Sequence, residues 1–258
     1  MNTLASMLDN RLLMALAAGF VFLLLMWPQA QAQERRLSDG IAAYEAGDFG
    51  RAKAMLQPLA EAGSAEAQFF MGEMYYEGQS VDRDYSIAIA WFTKAGKQGH
   101  ARALGSLGYM ANNGVGTSKD AEKALCLYID AARRGYANAQ WNLARYYWER
   151  SQWERYEYWL SRAEKQGHPF ALLRRARVWL LNPLELNKTK AYLYLMVAAR
   201  KGEEAAIQRL EEIRESPSLV AVEQLQHAEQ LLPEWRETKE VPAANLTPIS
   251  DDCYPSAK

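Results

Sequence analysis

The residues whose types could do chemistry are few and scattered along 258 positions. The histidines are His100, His168 and His227, and the first two share a slot one residue after a glycine, Gly99 or Gly167. A slot that recurs in this way reads as a surface cap on the next helix, and a zinc site needs more donors than the pattern brings together. Asp82 and Asp84 precede an apolar helical stretch. There they serve better as N-terminal caps, accepting from unpaired amide protons, than as a catalytic acid–base pair. No H-E-x-x-H, G-x-S-x-G, S-x-x-K or Walker-type run occurs anywhere. The expectation is therefore no catalytic residue, no metal and no cofactor. Cys126 and Cys253 leave two readings open: a bond between them, or a buried thiol at 126 and an exposed one at 253.

Aromatic side chains are the one dense feature. Trp141, Tyr146, Tyr147, Trp148, Trp153, Tyr156, Tyr158 and Trp159 fall within 19 residues, more than the core of one helix pair can hold. Such rings either fill structure or stack on a sugar ring or grip a peptide.

What must position these residues is a repeated element. Gly63, Gly99, Gly135, Gly167 and Gly202 each close an amphipathic stretch, at separations of 36, 36, 32 and 35 residues. A period of this size marks a helical repeat array. After each glycine the chain predicts two helices joined by a turn. In the first helix Ala67, Met71 and Tyr75 make an i, i+4, i+8 stripe that Ala139, Leu143 and Tyr147 repeat. Gly72, Gly108, Ala144 and Ala176 keep a small residue where the second helix crosses, and Trp91, Leu127, Trp159 and Tyr194 hold a large position in that second helix. The closing glycines suit the left-handed conformation of a helix C-terminus.

Composition agrees with a folded module and names no activity. Hydrophobic residues are 49% and charged residues 24%, and 30 basic against 31 acidic side chains give a formal charge of -1. No global field draws such a chain to nucleic acid or to anionic lipid. At the N-terminus Leu12 to Trp27 is an unbroken apolar run behind Arg11, followed by Pro28 and Ala30-Gln31-Ala32. That is the layout of a secretory signal peptide with cleavage after Ala32. A helix of that length rises roughly 24 Å, short of a ~30 Å bilayer core, so retention as a membrane anchor is the lesser alternative. The folded part is expected in the periplasm or secreted.

The stretch Ala65 to His100, with Tyr75-Tyr76-x-Gly78, Val81-x-x-Asp84, Ala88-x-x-Trp91 and Lys94-Ala95-x-x-x-Gly99-His100, resembles the Sel-one-like repeat (SLR), a relative of the tetratricopeptide repeat. The resemblance implies an all-α fold, an α-solenoid of antiparallel helix pairs. The expected layout is a signal peptide at 1–32, a tetratricopeptide-like pair at 33–64, and four repeats at 65–100, 101–136, 137–168 and 169–203. A closing pair at 204–235, with Ser216-Pro217 opening its second helix, and a disordered tail at 236–258 complete it. Two departures stand out. The third unit is four residues short at Glu149-Arg150-Ser151-Gln152-Trp153, which demands a tighter turn, and the fourth puts Arg174 and Arg175 where the family buries an apolar pair.

By the same resemblance, partners bind a concave face lined by the first helices. Its positions lie three before, one after and four after the small crossover residue. They read Phe69, Glu73 and Tyr76, then Gly105, Tyr109 and Asn112, then Trp141, Arg145 and Trp148, then Leu173, Arg177 and Leu180. Aromatic and arginine side chains of this kind are enriched at interface hot spots. The implied function is a protein–protein interaction scaffold of the bacterial envelope, holding another envelope protein or a peptide segment. Two alternatives remain: direct glycan binding through the aromatic third repeat, and hydrolysis of cell-wall or β-lactam substrates. The cysteine-rich members linked to β-lactam hydrolysis carry paired cysteines in each repeat, which this chain lacks.

Overall fold

The computed structural model describes residues 31–181, 188–215 and 219–233. All but two residues of the expected leader, the whole of the expected tail, Cys253 and the Ser216-Pro217 signal lie outside them. Among the described residues the chain is helical throughout, with no strand. It is an all-α fold of helix pairs. The helices are α1 (31–45), α2 (Phe49–Glu61), α3 (Ala65–Glu77), α4 (Tyr85–Lys97), α5 (Ala101–Asn113) and α6 (Ala121–Arg133). They continue as α7 (Ala137–Glu149), α8 (Trp153–Lys165), α9 (Pro169–Leu181), α10 (Lys188–Arg200), α11 (Glu204–Glu215) and α12 (Leu219–Leu231). Among the described residues no helix is long and apolar enough to cross a membrane. The chain divides into two compact units, one ending at Gln98 and the other starting at Gly99.

Local chemistry sets these boundaries. The side chains of Ser64, Asp84, His100 and Asp120 accept from backbone amides in the first turns of α3, α4, α5 and α6. They satisfy donors that a helix start otherwise leaves unpaired. Asp84 thus caps as expected, with the Ser86 hydroxyl and the Ile87 amide lowering its pKa, while Asp82 lies exposed in the preceding turn. All five closing glycines have positive φ, from 68° at Gly167 to 103° at Gly63. The shortening of the third repeat falls entirely in its turn: α7 and α8 keep 13 residues each and are joined by Arg150 to Gln152 alone, with Ser151 at φ 56°.

In the first unit α3 lies against α4, and a Cβ placed on Gly72 would sit 2.5 Å from the Phe92 ring. In the second unit Gly108 meets Tyr128 in the same way at 2.9 Å. The small crossover residue is as the sequence predicts, but the large residue facing it is Phe92 or Tyr128, one position after Trp91 and Leu127, which are only half-buried. Both positions are large and apolar, and the rotation of the second helix decides which one points inward. Ala144 and Ala176 are likewise buried, in the clusters that hold Leu160 and Leu195.

Buried amides join successive elements. Gln140, fully buried, donates to the Ala132 carbonyl at 3.1 Å and accepts from Gln166 at 2.7 Å. In the first unit Gln68 does the same with Ala60 and Gln98, at 3.0 and 2.8 Å. Each glutamine gives a second donor to a carbonyl of the last helical turn that already accepts from the closing glycine's amide.

The fourth repeat keeps its register despite its arginines, since Ala171, Leu172 and Ala176 are all buried. Arg175 takes the place that Leu143 holds in the third repeat. It donates from Nε to Glu164 at 2.8 Å and also pairs with Glu157, both on α8. Burial alone would lower the pKa of Arg175, but these two carboxylates outweigh it and hold the pKa above its usual value. Tyr194 of α10 donates to Glu164 at 2.9 Å, so one ionic cluster ties α8, α9 and α10. Ala132 and Leu143, buried in one apolar cluster, are thus answered at the equivalent positions of the next repeat by Glu164 and Arg175.

Candidate partner-binding surface

Within the first unit the expected positions separate. Phe69 is 2% exposed and packs on Phe70 and Phe92, so it belongs to the core and not to a binding face. Glu73 and Tyr76 are half-buried, with Tyr76 against Tyr85 at 5.5 Å.

The second unit holds the richer surface. The column three before the crossover is again structural. A Cβ on Gly105 would collide with the Tyr136 ring, Leu173 is buried, and Trp141 is half-buried. His168 stacks on Trp141 at 5.7 Å and is 7% exposed, with Phe170 at 5.9 Å. The surface-cap reading therefore holds for His100 and fails for His168. Its Nδ1 is buried without a hydrogen bond, and burial, reinforced by the Lys201 charge, pushes its pKa down to about 4. The ring is neutral at ordinary pH.

The other two columns reach solvent. Tyr109 is 48% and Trp148 40% exposed, Arg145 and Arg177 are exposed, and Asn112 and Leu180 are half-buried. Trp148 lies edge-on to Trp153 at 4.9 Å and beside Tyr156 at 5.0 Å, and the Arg174 guanidinium covers one of its faces at 3.9 Å. Arg174 also donates to the Tyr156 hydroxyl at 3.3 Å. A cavity of about 130 Å³ opens among α5, α6 and α7, lined by Asn112, Asn142, Arg145, Glu149 and Arg150 together with Tyr128 and Leu125. Burial raises the Tyr128 phenol to about 12 against the opposing pull of Arg145, so it stays protonated.

Asn142, Arg174 and the α6 lining residues are absent from the three expected columns. Asn142 and Arg174 share a column two before the crossover, and each faces the last column of the preceding repeat: Asn142 lines a cavity with Asn112, and Arg174 stacks on Trp148. Reading each repeat against its predecessor, and not alone, would have shown it.

The repeat spacing, caps and crossovers meet their counterpart in known proteins. The Sel1 repeat family model matches residues 65–100, 101–136 and 137–151. Residues 65–151 of this chain are thus Sel1 repeats. The match ends where the third turn shortens, while the helix pair itself recurs at α9 and α10. Among solved structures, a Sel1 repeat protein from Oxalobacter formigenes superimposes with a TM-score of 0.59 at 22% identity, over 75% of this chain and 84% of that one. A protective antigen of uropathogenic Escherichia coli strains, displaying an SLR fold, gives 0.54 at 24% identity over 78% of this chain and 46% of that one. No curated protein matches the chain. Sel1-repeat proteins are in general scaffolds for protein–protein interaction and not enzymes.

Proposed function

We propose that this protein is a non-enzymatic adaptor of the bacterial periplasm or envelope that holds a segment of another envelope protein on its first helices. The observation that carries this reading is the alternation along α5, α7 and α9 of exposed rings and cations, Tyr109, Arg145, Trp148 and Arg177, on helices that also bury Leu104, Leu143 and Leu172 in the core. Solvent-facing Trp, Tyr and Arg at successive repeats bring large contact area at little entropic cost. The periplasmic location rests on the leader sequence, and mass measurement of the mature N-terminus in fractionated cells tests it: a start at Gln33 supports it.

A protein partner is favoured over a glycan because Arg174 already covers one face of Trp148, which leaves a sugar at most the opposite face to stack on. A photo-crosslinking residue placed at Tyr109 or Trp148 in the native envelope should capture one partner that the same residue at exposed Lys123 does not. Equal capture at all three positions, or none, would end the reading.

A further inference from the structure

The cavity among α5, α6 and α7 has a polarity that specifies what enters it. Arg150 is already committed: its guanidinium lies 3.7 Å over the Tyr146 ring, donates to the Tyr146 carbonyl at 3.3 Å and sits 4.0 Å from Glu149. Arg145 differs, because among the described residues no carboxylate lies within ion-pair distance of it. The side-chain amides of Asn112 and Asn142, on two of the helices that line the cavity, likewise make no hydrogen bond to the described protein. Three polar side chains thus converge on one small space with their bonding capacity unused. Tyr128, 9% exposed, lines the same cavity.

These groups differ in what they can bond. A guanidinium offers a planar fork of donors matched to a carboxylate, whereas each asparagine amide offers both a donor and an acceptor, which matches a peptide unit and not a bare anion. The exposed rings of Tyr109 and Trp148 stand on the same two helices, so an extended chain has surface to run along beyond the cavity on either one. We propose that the cavity receives an acidic side chain, Asp or Glu, from within an extended segment of the partner, with Arg145 pairing its carboxylate and Asn112 and Asn142 bonding the flanking main chain. This rests on the adaptor reading above and adds the chemistry of the segment.

Three sets of fluorescein-labelled nonapeptides test it by anisotropy against the full chain, all with randomised flanks. The first has a central Glu and an amidated C-terminus, the second a central Gln and an amidated C-terminus, and the third a central Gln and a free C-terminus. The Glu set should bind about tenfold or more tightly than the amidated Gln set, the size of a charge-assisted hydrogen-bonded pair. Arg145→Gln should erase that difference, with an unaltered helical circular dichroism signal. Asn142→Ala should weaken both amidated sets together. Equal binding of Glu and Gln sets, a Glu preference that survives Arg145→Gln, or preference for the free C-terminus would each overturn the acidic side-chain assignment while leaving the adaptor reading intact. Binding of no set at all would overturn both.

Discussion

At the scale of single residues, the same slot in successive repeats carries different physics. His100 and His168 both follow a closing glycine, yet His100 accepts from the Ala103 amide at 3.2 Å while His168 is buried in a stack with Trp141 and Phe170. The slot was legible in the sequence, but the environment was not, because Trp141 lies 27 positions upstream of His168 and only the return of the chain through α8 brings the two rings together. The consequence is a pH dependence. With its folded pKa lowered from 6.5 to about 4, His168 leaves the unfolded chain binding the extra proton between those values. Stability is therefore full above about pH 6.5, declines as the pH falls through that window, and levels off below about pH 4, a loss approaching 3 kcal/mol. Urea titrations at pH 7.5 and pH 4 should show this extra loss in the parent and not in His168→Phe, which keeps the aromatic stack; an identical pH response in both would refute it.

At the scale of elements, the helix contacts were legible as a period and blurred in rotation. Gly72, Gly108, Ala144 and Ala176 follow from spacing alone, since a close crossing tolerates no larger side chain. Whether Trp91 or Phe92 faces the glycine is fixed by one third of a turn, which two adjacent large residues do not encode. Arg175 shows the opposite case. Its oddity stood out in the sequence, but its partners Glu164 and Glu157 lie 11 and 18 positions away on another helix, with no spacing rule to join them. With side-chain exposures of 15% for Arg175 and 12% for Glu164, this pair lies deep enough that losing one member strands the other. Arg175→Ala should therefore cost about 3 kcal/mol in denaturant unfolding. The replacement Glu164→Ala, Arg175→Leu and Tyr194→Phe, which copies the residue types of Ala132 and Leu143 and leaves no orphaned hydroxyl, should recover most of that loss. If the triple variant is as unstable as Arg175→Ala, the cluster supplies more than a substitute for apolar packing.

At the scale of the whole molecule, locality is what lets one surface be varied without loss of the fold. The main helix contacts run between sequence neighbours, α2 with α3, α3 with α4, α5 with α6, and so on to α10, which also meets α12. In such an array stability is a sum of repeat and nearest-neighbour terms, so a defect is felt beside itself and fades with distance along the chain. Gly72→Leu forces a branched side chain into the Phe92 ring and should cost roughly 1–3 kcal/mol by overpacking. Hydrogen exchange should then quicken in α2, α3 and α4 and remain at parental rates in α9 to α12. The same reasoning separates binding from folding on the exposed face. Trp148→Ala and Tyr109→Ala remove rings that are 40% and 48% exposed, so each should lower partner capture several-fold while leaving the urea midpoint nearly unchanged. Loss of protection in the helices beside the substituted ring, α5 and α6 for Tyr109→Ala or α7 and α8 for Trp148→Ala, would show that these rings serve the core and not a partner.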